Sequence, residues 1–168
     1  MEEDLRIRPW ADTDSVAALT DLLHAAYADL LANGFRYSGS YQNETTTLAR
    51  LQHGIPFVAE QADEIVATIT LYQTSLTSHA EWYRQPGVFH FGQFGVRPDL
   101  QGQGIGSRLY AHIEALARKL GADELALDTA EGAAHLRRWY ERLGFRFVQF
   151  QQWPSTNYRS VVLSKSLS

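Results

Sequence analysis

Apolar residues are spaced along the chain in two patterns, one with the period of a helix and one typical of strands. An apolar residue at every third or fourth position, ending at a glycine, predicts an amphipathic helix. We expect the first helix to begin at a cap supplied by Asp12 or Thr13 and to end at Gly34, before an aromatic, irregular stretch over 35–41. Further helices are expected over 45–53, 105–120 and 133–143.

Runs rich in valine, isoleucine, threonine and aromatic residues predict the strands. They lie over 5–8, 56–60, 64–72, 88–96, 125–128, 145–151 and 158–163. Ala62 and Asp63 form the turn between the second and the third of them. Because hairpins alternate with helical crossovers, the order predicts an α/β (α+β) fold, in which helices cover both faces of a mixed central sheet of about six to seven strands. A single domain over 1–168 accommodates all of these elements.

Composition excludes several classes of function. The chain has no cysteine, which rules out a thiol nucleophile, a disulfide framework and a Cys-ligated zinc. Its histidines show no H-x-H or H-E-x-x-H spacing, so no metal site is expected. Lysine and arginine total 15 against 19 for aspartate and glutamate, a net charge of −4, and the basic residues are scattered. Nucleic acid is therefore not an expected partner.

The chain also lacks the signals of membrane insertion and export. No apolar run reaches the roughly 20 residues that a membrane helix needs. The first residues, from Met1 to Asp4, are acidic and lead into no apolar run, unlike a secretory signal. We expect a cytoplasmic protein with no membrane partner. The sequence does not set the oligomeric state, for which a homodimer is the commonest arrangement.

The most informative segment is the glycine-rich stretch from Val96 to Gly106, between a strand and a helix. A helix start exposes free N–H groups and the positive end of the helix dipole, and so attracts anions. Glycines alternate here at 102, 104 and 106, although a glycine in a first turn costs about 1 kcal/mol relative to alanine. The stretch predicts a phosphate site, with a simple tight turn as the alternative. Ser107 occupies the third glycine position of a dinucleotide fingerprint, and the Gly-Lys-Ser/Thr of a P-loop is absent.

Two signatures together resemble those of the GNAT N-acetyltransferase superfamily. The coenzyme A signature reads, with its lead-in residues, Val96-x-Pro98-x-x-Gln101-x-x-Gly104-x-Gly106. The second, a helix that ends in Tyr-x-x-x-Gly-Phe, is similar to Trp139-Tyr-Glu-Arg-Leu-Gly-Phe145. The resemblance is specific over 89–147 and only topological elsewhere. It implies the GNAT fold and transfer of an acetyl group from acetyl-coenzyme A (acetyl-CoA) to an amine.

The resemblance also implies roles for particular residues. The strand backbone at Phe94, Gly95 and Val96 would bind the pantetheine arm of acetyl-CoA. The loop and helix start would hold its pyrophosphate through Gln101, Gly102, Gln103, Gly104, Ile105, Gly106 and Ser107. Tyr140 would stand beside the thioester sulfur and protonate the departing thiolate. Ala133 occupies a position where many members have asparagine, so one contact to coenzyme A differs here.

A proton acceptor is also required, because a thioester is attacked by a neutral amine and a lysine-like amine has a pKa of about 10.4. His90 lies six residues before Val96, where several family members keep a glutamate base. An unperturbed imidazole, with a pKa of about 6.5, suits this task. The alternatives are a water molecule as base, a structural role for His90, and a core aromatic role for Tyr140.

The resemblance implies that substrates are recognised by the first helical region and by the loops around the central strands, where aromatic residues are frequent. Tyr27, Phe35, Tyr37 and Trp82 are expected to line a pocket for the amine through cation–π contacts, with ordinary packing as the alternative for each. Candidates to pair with an ammonium group are Glu44, Glu81 and Asp128. The sequence thus predicts an N-acetyltransferase. The alternative functions for the chain are a non-catalytic acyl-CoA sensor and an acyltransferase for longer acyl groups.

Overall fold

A computed structural model of the protein describes residues 4–168. The seven strands are β1 (Arg6–Pro9), β2 (Ile55–Gln61), β3 (Glu64–Tyr72), β4 (Val88–Val96), β5 (Glu124–Ala130), β6 (Arg146–Gln151) and β7 (Ser160–Ser166). They form one sheet in the order β1-β2-β3-β4-β5-β7-β6, in which only β4 and β5 run parallel. This confirms the mixed sheet expected from the sequence. Residues 1–3, which belong to the acidic start of the chain, lie outside the described part.

The same part of the chain contains five α-helices. They are α1 (Val16–Ala26), α2 (Ala28–Ala32), α3 (Glu44–Gln52), α4 (Ile105–Lys119) and α5 (Ala134–Arg142). Within residues 4–168, no helix combines the length and the apolar character needed to cross a membrane.

The start of the chain differs from the prediction in two respects. The single helix expected up to Gly34 is two helices, because the backbone leaves the helical region at Tyr27. The cap is Ser15, whose hydroxyl accepts a hydrogen bond from the Ala18 N–H at 3.1 Å. Neither Asp12 nor Thr13 caps the helix, because the chain first makes a turn in which the Asp14 carboxylate accepts the Ala11 N–H.

The last strand is also displaced, since β7 begins and ends later than the predicted 158–163. The Tyr158 carbonyl accepts hydrogen bonds from the side chains of Gln152 and Thr156, which keeps it in the loop between β6 and β7. The other predicted strands and helices are present, with small shifts at their ends.

The helices pack on both faces of the sheet. The stripe of α4 that faces β2, β3 and β4 is buried, and its residues are Ile105, Leu109, Tyr110, Ile113 and Ala117. On the opposite face, Leu19 and Leu23 of α1 pack against Leu51 of α3. Side chains alternate between the faces of a strand, so β3 directs Ile69 into the core below α4 while Thr70 faces the other way.

The central strand β4 is irregular on both of its edges. Its register against β3 shifts at a β-bulge, where Gln93 takes a positive φ of 47°. Its pairing with β5 extends only from Val88 to His90 on the β4 side. Both strands continue beyond that point, to Val96 and Ala130. The two strands therefore separate, and the second half of β4 borders a cleft.

Candidate active site

A cavity of about 610 Å³ occupies the cleft where β4 and β5 separate. A second cavity of about 210 Å³ lies over the glycine-rich loop. Val96, Gln101 and Trp139 line both cavities. The two spaces therefore adjoin, and the loop before α4 leads directly into the space between the strands.

The glycine-rich loop leaves open space at the start of α4. Gly104 caps this helix with a φ of 84°, and no side chain of residues 4–168 binds the free N–H groups of the first turn. A Cβ atom built at Gly102 or Gly104 would meet no atom within 4 Å. The smaller cavity is lined by all the predicted pyrophosphate residues except Gln103. This combination of bare backbone, positive helix end and open volume fits a pyrophosphate group.

The predicted pantetheine segment, Phe94, Gly95 and Val96, lines the larger cavity. The Phe94 carbonyl accepts a hydrogen bond from the Tyr27 hydroxyl at 2.8 Å, and the Val96 carbonyl accepts one from the Gln101 side chain at 3.1 Å. A Cβ atom at Gly95 would lie 2.9 Å from a carbon of α1, so glycine permits this close packing. This edge of β4 thus borders the cavity, and two of its carbonyls, those of Phe94 and Val96, already accept hydrogen bonds from side chains.

Tyr140 lies on α5 with its ring in the core and lines the cavity. The ring centroid is 6.1 Å from that of Phe91 and 5.7 Å from that of Phe145. No group within residues 4–168 hydrogen-bonds to its hydroxyl. Burial raises the pKa of this hydroxyl well above its usual value. At neutral pH the hydroxyl therefore keeps its proton, and no described group occupies it as an acceptor.

His90 also lines the cavity, with its ring between those of Tyr72 and Tyr83. The centroid distances are 5.0 Å to Tyr72 and 4.0 Å to Tyr83, and both pairs are stacked. The Nδ1 atom is buried without a hydrogen-bond partner in the described chain. Burial lowers the pKa of His90 to about 3. The value near 6.5 assumed from the sequence therefore does not apply, and the imidazole is neutral at physiological pH.

Asp128 of β5 is the carboxylate, among the three candidates, that lines the cavity. Its Oδ1 accepts a hydrogen bond from the Tyr83 hydroxyl at 2.6 Å, and its Oδ2 accepts one from the Trp153 indole at 2.9 Å. Burial raises the pKa of this carboxyl. Because Tyr83 also stacks on His90, the side chains of Asp128, Tyr83 and His90 form one continuous wall of the cavity.

The four aromatic residues predicted for the amine pocket are divided by the structure. Tyr27 and Tyr37 line the cavity, with ring centroids 5.3 Å apart. Phe35 and Trp82 are not among the lining residues of the described chain. Phe35 packs edge-on against Tyr158, and the Trp82 indole donates a hydrogen bond to the Ser164 hydroxyl at 3.0 Å.

Several lining residues were not singled out by sequence reasoning. They come from the end of α3, the end of β3 and the connection between β6 and β7, and include Arg50, Tyr72, Trp153 and Tyr158. No local motif marks them, since they meet only through the tertiary fold. Within residues 4–168, no group of three or more His, Asp or Glu side chains is placed to hold a metal ion.

Comparison with known proteins gives a consistent result. The model of the acetyltransferase (GNAT) family matches residues 17–145. The chain is 30% identical over 132 residues to S-(2-succino)cysteine N-acetyltransferase of Bacillus subtilis, a match covering 76% of each chain. It is 31% identical over 152 residues to aminoalkylphosphonate N-acetyltransferase of Salmonella typhimurium, covering 87% of this chain and 90% of that one. A Bacillus subtilis acetyltransferase crystallised in complex with CoA has a TM-score of 0.70 and 21% identity, covering 98% of this chain and 100% of that one.

Proposed function

The chain belongs to the acetyltransferase (GNAT) family, and from this premise we propose that it is an N-acetyltransferase that moves an acetyl group from acetyl-CoA to a primary amine of a small molecule or peptide. One observation carries the proposal: the glycine-rich loop at the start of α4 opens into a cavity that holds Tyr140 and His90. Two relatives named as N-acetyltransferases of small amines support it.

Acetyl-CoA, when bound, supplies the acetyl group as a reactive thioester. The first-turn N–H groups of α4 bind its pyrophosphate, which the open space at Gly102 and Gly104 admits. The separated edge of β4 at Phe94, Gly95 and Val96 binds the pantetheine arm. A Bacillus subtilis acetyltransferase with the same fold was crystallised in complex with CoA, which supports acetyl-CoA as the ligand.

Transfer is direct and needs no acyl-enzyme. The amine nitrogen bonds to the thioester carbon, the carbon–sulfur bond breaks, and Tyr140 donates its proton to the sulfur. A backbone N–H of β4 stabilises the negative charge that develops on the carbonyl oxygen. Holding both reactants in one cleft contributes up to about 7–11 kcal/mol in favourable cases.

The proton released by the amine goes to His90 or to a water molecule. With a pKa of about 3, His90 has a free lone pair at every physiological pH but holds a proton weakly. We therefore assign it the role of accepting a hydrogen bond from the amine or a water and passing the proton on to solvent.

The test is calorimetric titration of acetyl-CoA into the wild type and into Gly104→Glu. The added carboxylate places negative charge where the pyrophosphate binds, so we expect affinity to fall at least tenfold. Gly121→Glu is the matched control, since Gly121 follows the other end of α4 with a φ of 87° and equally open space. No binding by folded wild type, or equal weakening in both variants, contradicts the proposal.

The two alternative functions have distinct outcomes in the same assays. A sensor binds acetyl-CoA without turnover on any amine, and an acyltransferase for longer groups prefers a longer acyl-CoA. The single domain over 1–168, the cytoplasmic location and the homodimer stay predictions from the sequence.

A further inference from the structure

The last turn of α3 brings a cation to the larger cavity. Arg50 is partly buried and lines this cavity. The other charged lining residues are the carboxylates Asp29 and Asp128, and the remaining ionisable ones are histidines and tyrosines. Within the described chain, Arg50 is thus the lone lysine or arginine at the wall of this cavity. It does not line the smaller cavity over the glycine-rich loop.

Unlike several other arginines, Arg50 has no acceptor among the described residues. Arg8, Arg146 and Arg159 each form an ion pair with a carboxylate. Arg50 forms no hydrogen bond or ion pair with any group in residues 4–168. A guanidinium offers five N–H donors in a planar fork that matches a carboxylate or phosphate. A partly buried arginine that lines a cavity and has no acceptor among the described residues is therefore suited to an anionic ligand.

The positive charge of Arg50 acts on Tyr72, in the part of the cavity wall where acetyl transfer is proposed. Burial raises the pKa of Tyr72 to about 12, and the positive charge of Arg50 acts against this rise. Gly54 follows α3, and a Cβ atom built there would lie 2.9 Å from the Tyr72 ring. Tyr72 in turn stacks on His90. The end of α3 is therefore separated from His90 by one aromatic ring.

Resting on the proposed function, we propose that Arg50 binds an acidic group of the acceptor, so that the acceptor is an amine that also carries a carboxylate, phosphonate or phosphate. The amine lies near His90 and Tyr140, and the acidic group points back past Tyr72 toward α3. The pyrophosphate of acetyl-CoA is not the partner of Arg50, because its loop lies in the smaller cavity. This arrangement selects acidic amines over neutral or purely cationic ones.

The test uses matched pairs of amines: β-alanine with β-alaninamide, and 2-aminoethylphosphonate with propylamine. We expect the wild type to acetylate the acidic member of a pair with at least tenfold higher kcat/KM. Arg50→Gln raises the KM for the acidic amine at least tenfold, leaves the KM for acetyl-CoA unchanged, and has little effect on the neutral amine. Arg50→Lys restores part of the loss. Arg142→Gln is the control, since Arg142 also ends a helix but lines neither cavity.

Two kinetic results overturn the inference. One is equal use of acidic and neutral amines by the wild type, and the other is an equal loss for both amines in Arg50→Gln. Calorimetric titration of the acidic amines into the CoA complex covers the case in which none is turned over, and absence of binding there also overturns it. Failure of the proposed function is distinct, because the wild type then neither binds acetyl-CoA nor acetylates any of the four amines.

Discussion

Tyr140 combines a buried ring with a hydroxyl that no described group of the protein binds. We predict that Tyr140→Phe lowers kcat by about 10²–10⁴-fold, the usual range for a general acid, while the affinity for acetyl-CoA is unchanged. Steady-state kinetics and calorimetry measure the two effects. Tyr110→Phe is the control, since the Tyr110 hydroxyl donates to Glu114 and Tyr110 lines neither cavity. An unchanged kcat in Tyr140→Phe would mean that Tyr140 is only a core aromatic.

His90 makes the stability of the protein depend on pH. The folded protein keeps it neutral down to about pH 3, whereas in the unfolded chain it binds a proton below about pH 6.5. The unfolded state therefore binds more protons across this window, and the free energy of unfolding falls as the pH decreases from 6.5 toward 3. We predict that His90 contributes up to about 2 kcal/mol to the loss between pH 7 and pH 5.

Urea denaturation at pH 7 and at pH 5 checks this for the wild type and for His90→Phe, which keeps an aromatic ring between Tyr72 and Tyr83. The variant should lose less stability on acidification than the wild type. An identical loss in both proteins would show that His90 is protonated freely in the folded state.

At the scale of elements, the bulge in β4 depends on the side chain of Gln93. Its Oε1 accepts a hydrogen bond from the Gln42 side chain at 2.9 Å, and its Nε2 donates to the Thr47 carbonyl at 3.4 Å. Gln93→Ala removes both hydrogen bonds and leaves the buried Gln42 amide with one of its two side-chain acceptors, the Thr47 hydroxyl. We predict a loss of about 1–3 kcal/mol in the free energy of unfolding, measured by urea denaturation. Gln73→Ala, at an exposed residue outside the sheet, should be nearly neutral, and equal stability of Gln93→Ala and wild type would refute the role.

The sequence predicts the strands and the later helices well because their signals are local. A run of valine, isoleucine and threonine marks β3, and a regular apolar stripe ended by Gly121 marks α4. The break at Tyr27 has no such signal, since the apolar spacing continues across it and its hydroxyl contacts β4, far along the chain. The order of the strands follows from hairpins and crossovers, but the separation of β4 from β5 does not.

At the scale of the whole molecule, the candidate site is half predictable. The glycine-rich loop and the helix of Tyr140 are motifs, and both line the cleft. The environment of His90 follows from no motif, because the two tyrosines that surround it come from β3 and from the segment before β4. Arg50 and Trp153 likewise reach the cavity from segments without a motif. Spacing along the chain therefore predicts the loop and the helix that line the cleft, while the pKa values and neighbours of the lining residues depend on the folded structure.

The short pairing between β4 and β5 has a mechanical consequence. Within residues 4–168, strands β1–β4 are joined to strands β5, β7 and β6 by backbone pairing between β4 and β5 alone. That pairing consists of three residue pairs, from Val88 to His90 on β4. A molecule bound between β4 and β5 beyond these three pairs lies where the two strands do not pair, and it contacts both halves of the sheet. Ligand binding should therefore stabilise the folded sheet. At a concentration 100 times its Kd, a ligand adds about 2.7 kcal/mol to the free energy of unfolding. Substrate supply would set not only how fast this protein works but how firmly its halves hold together.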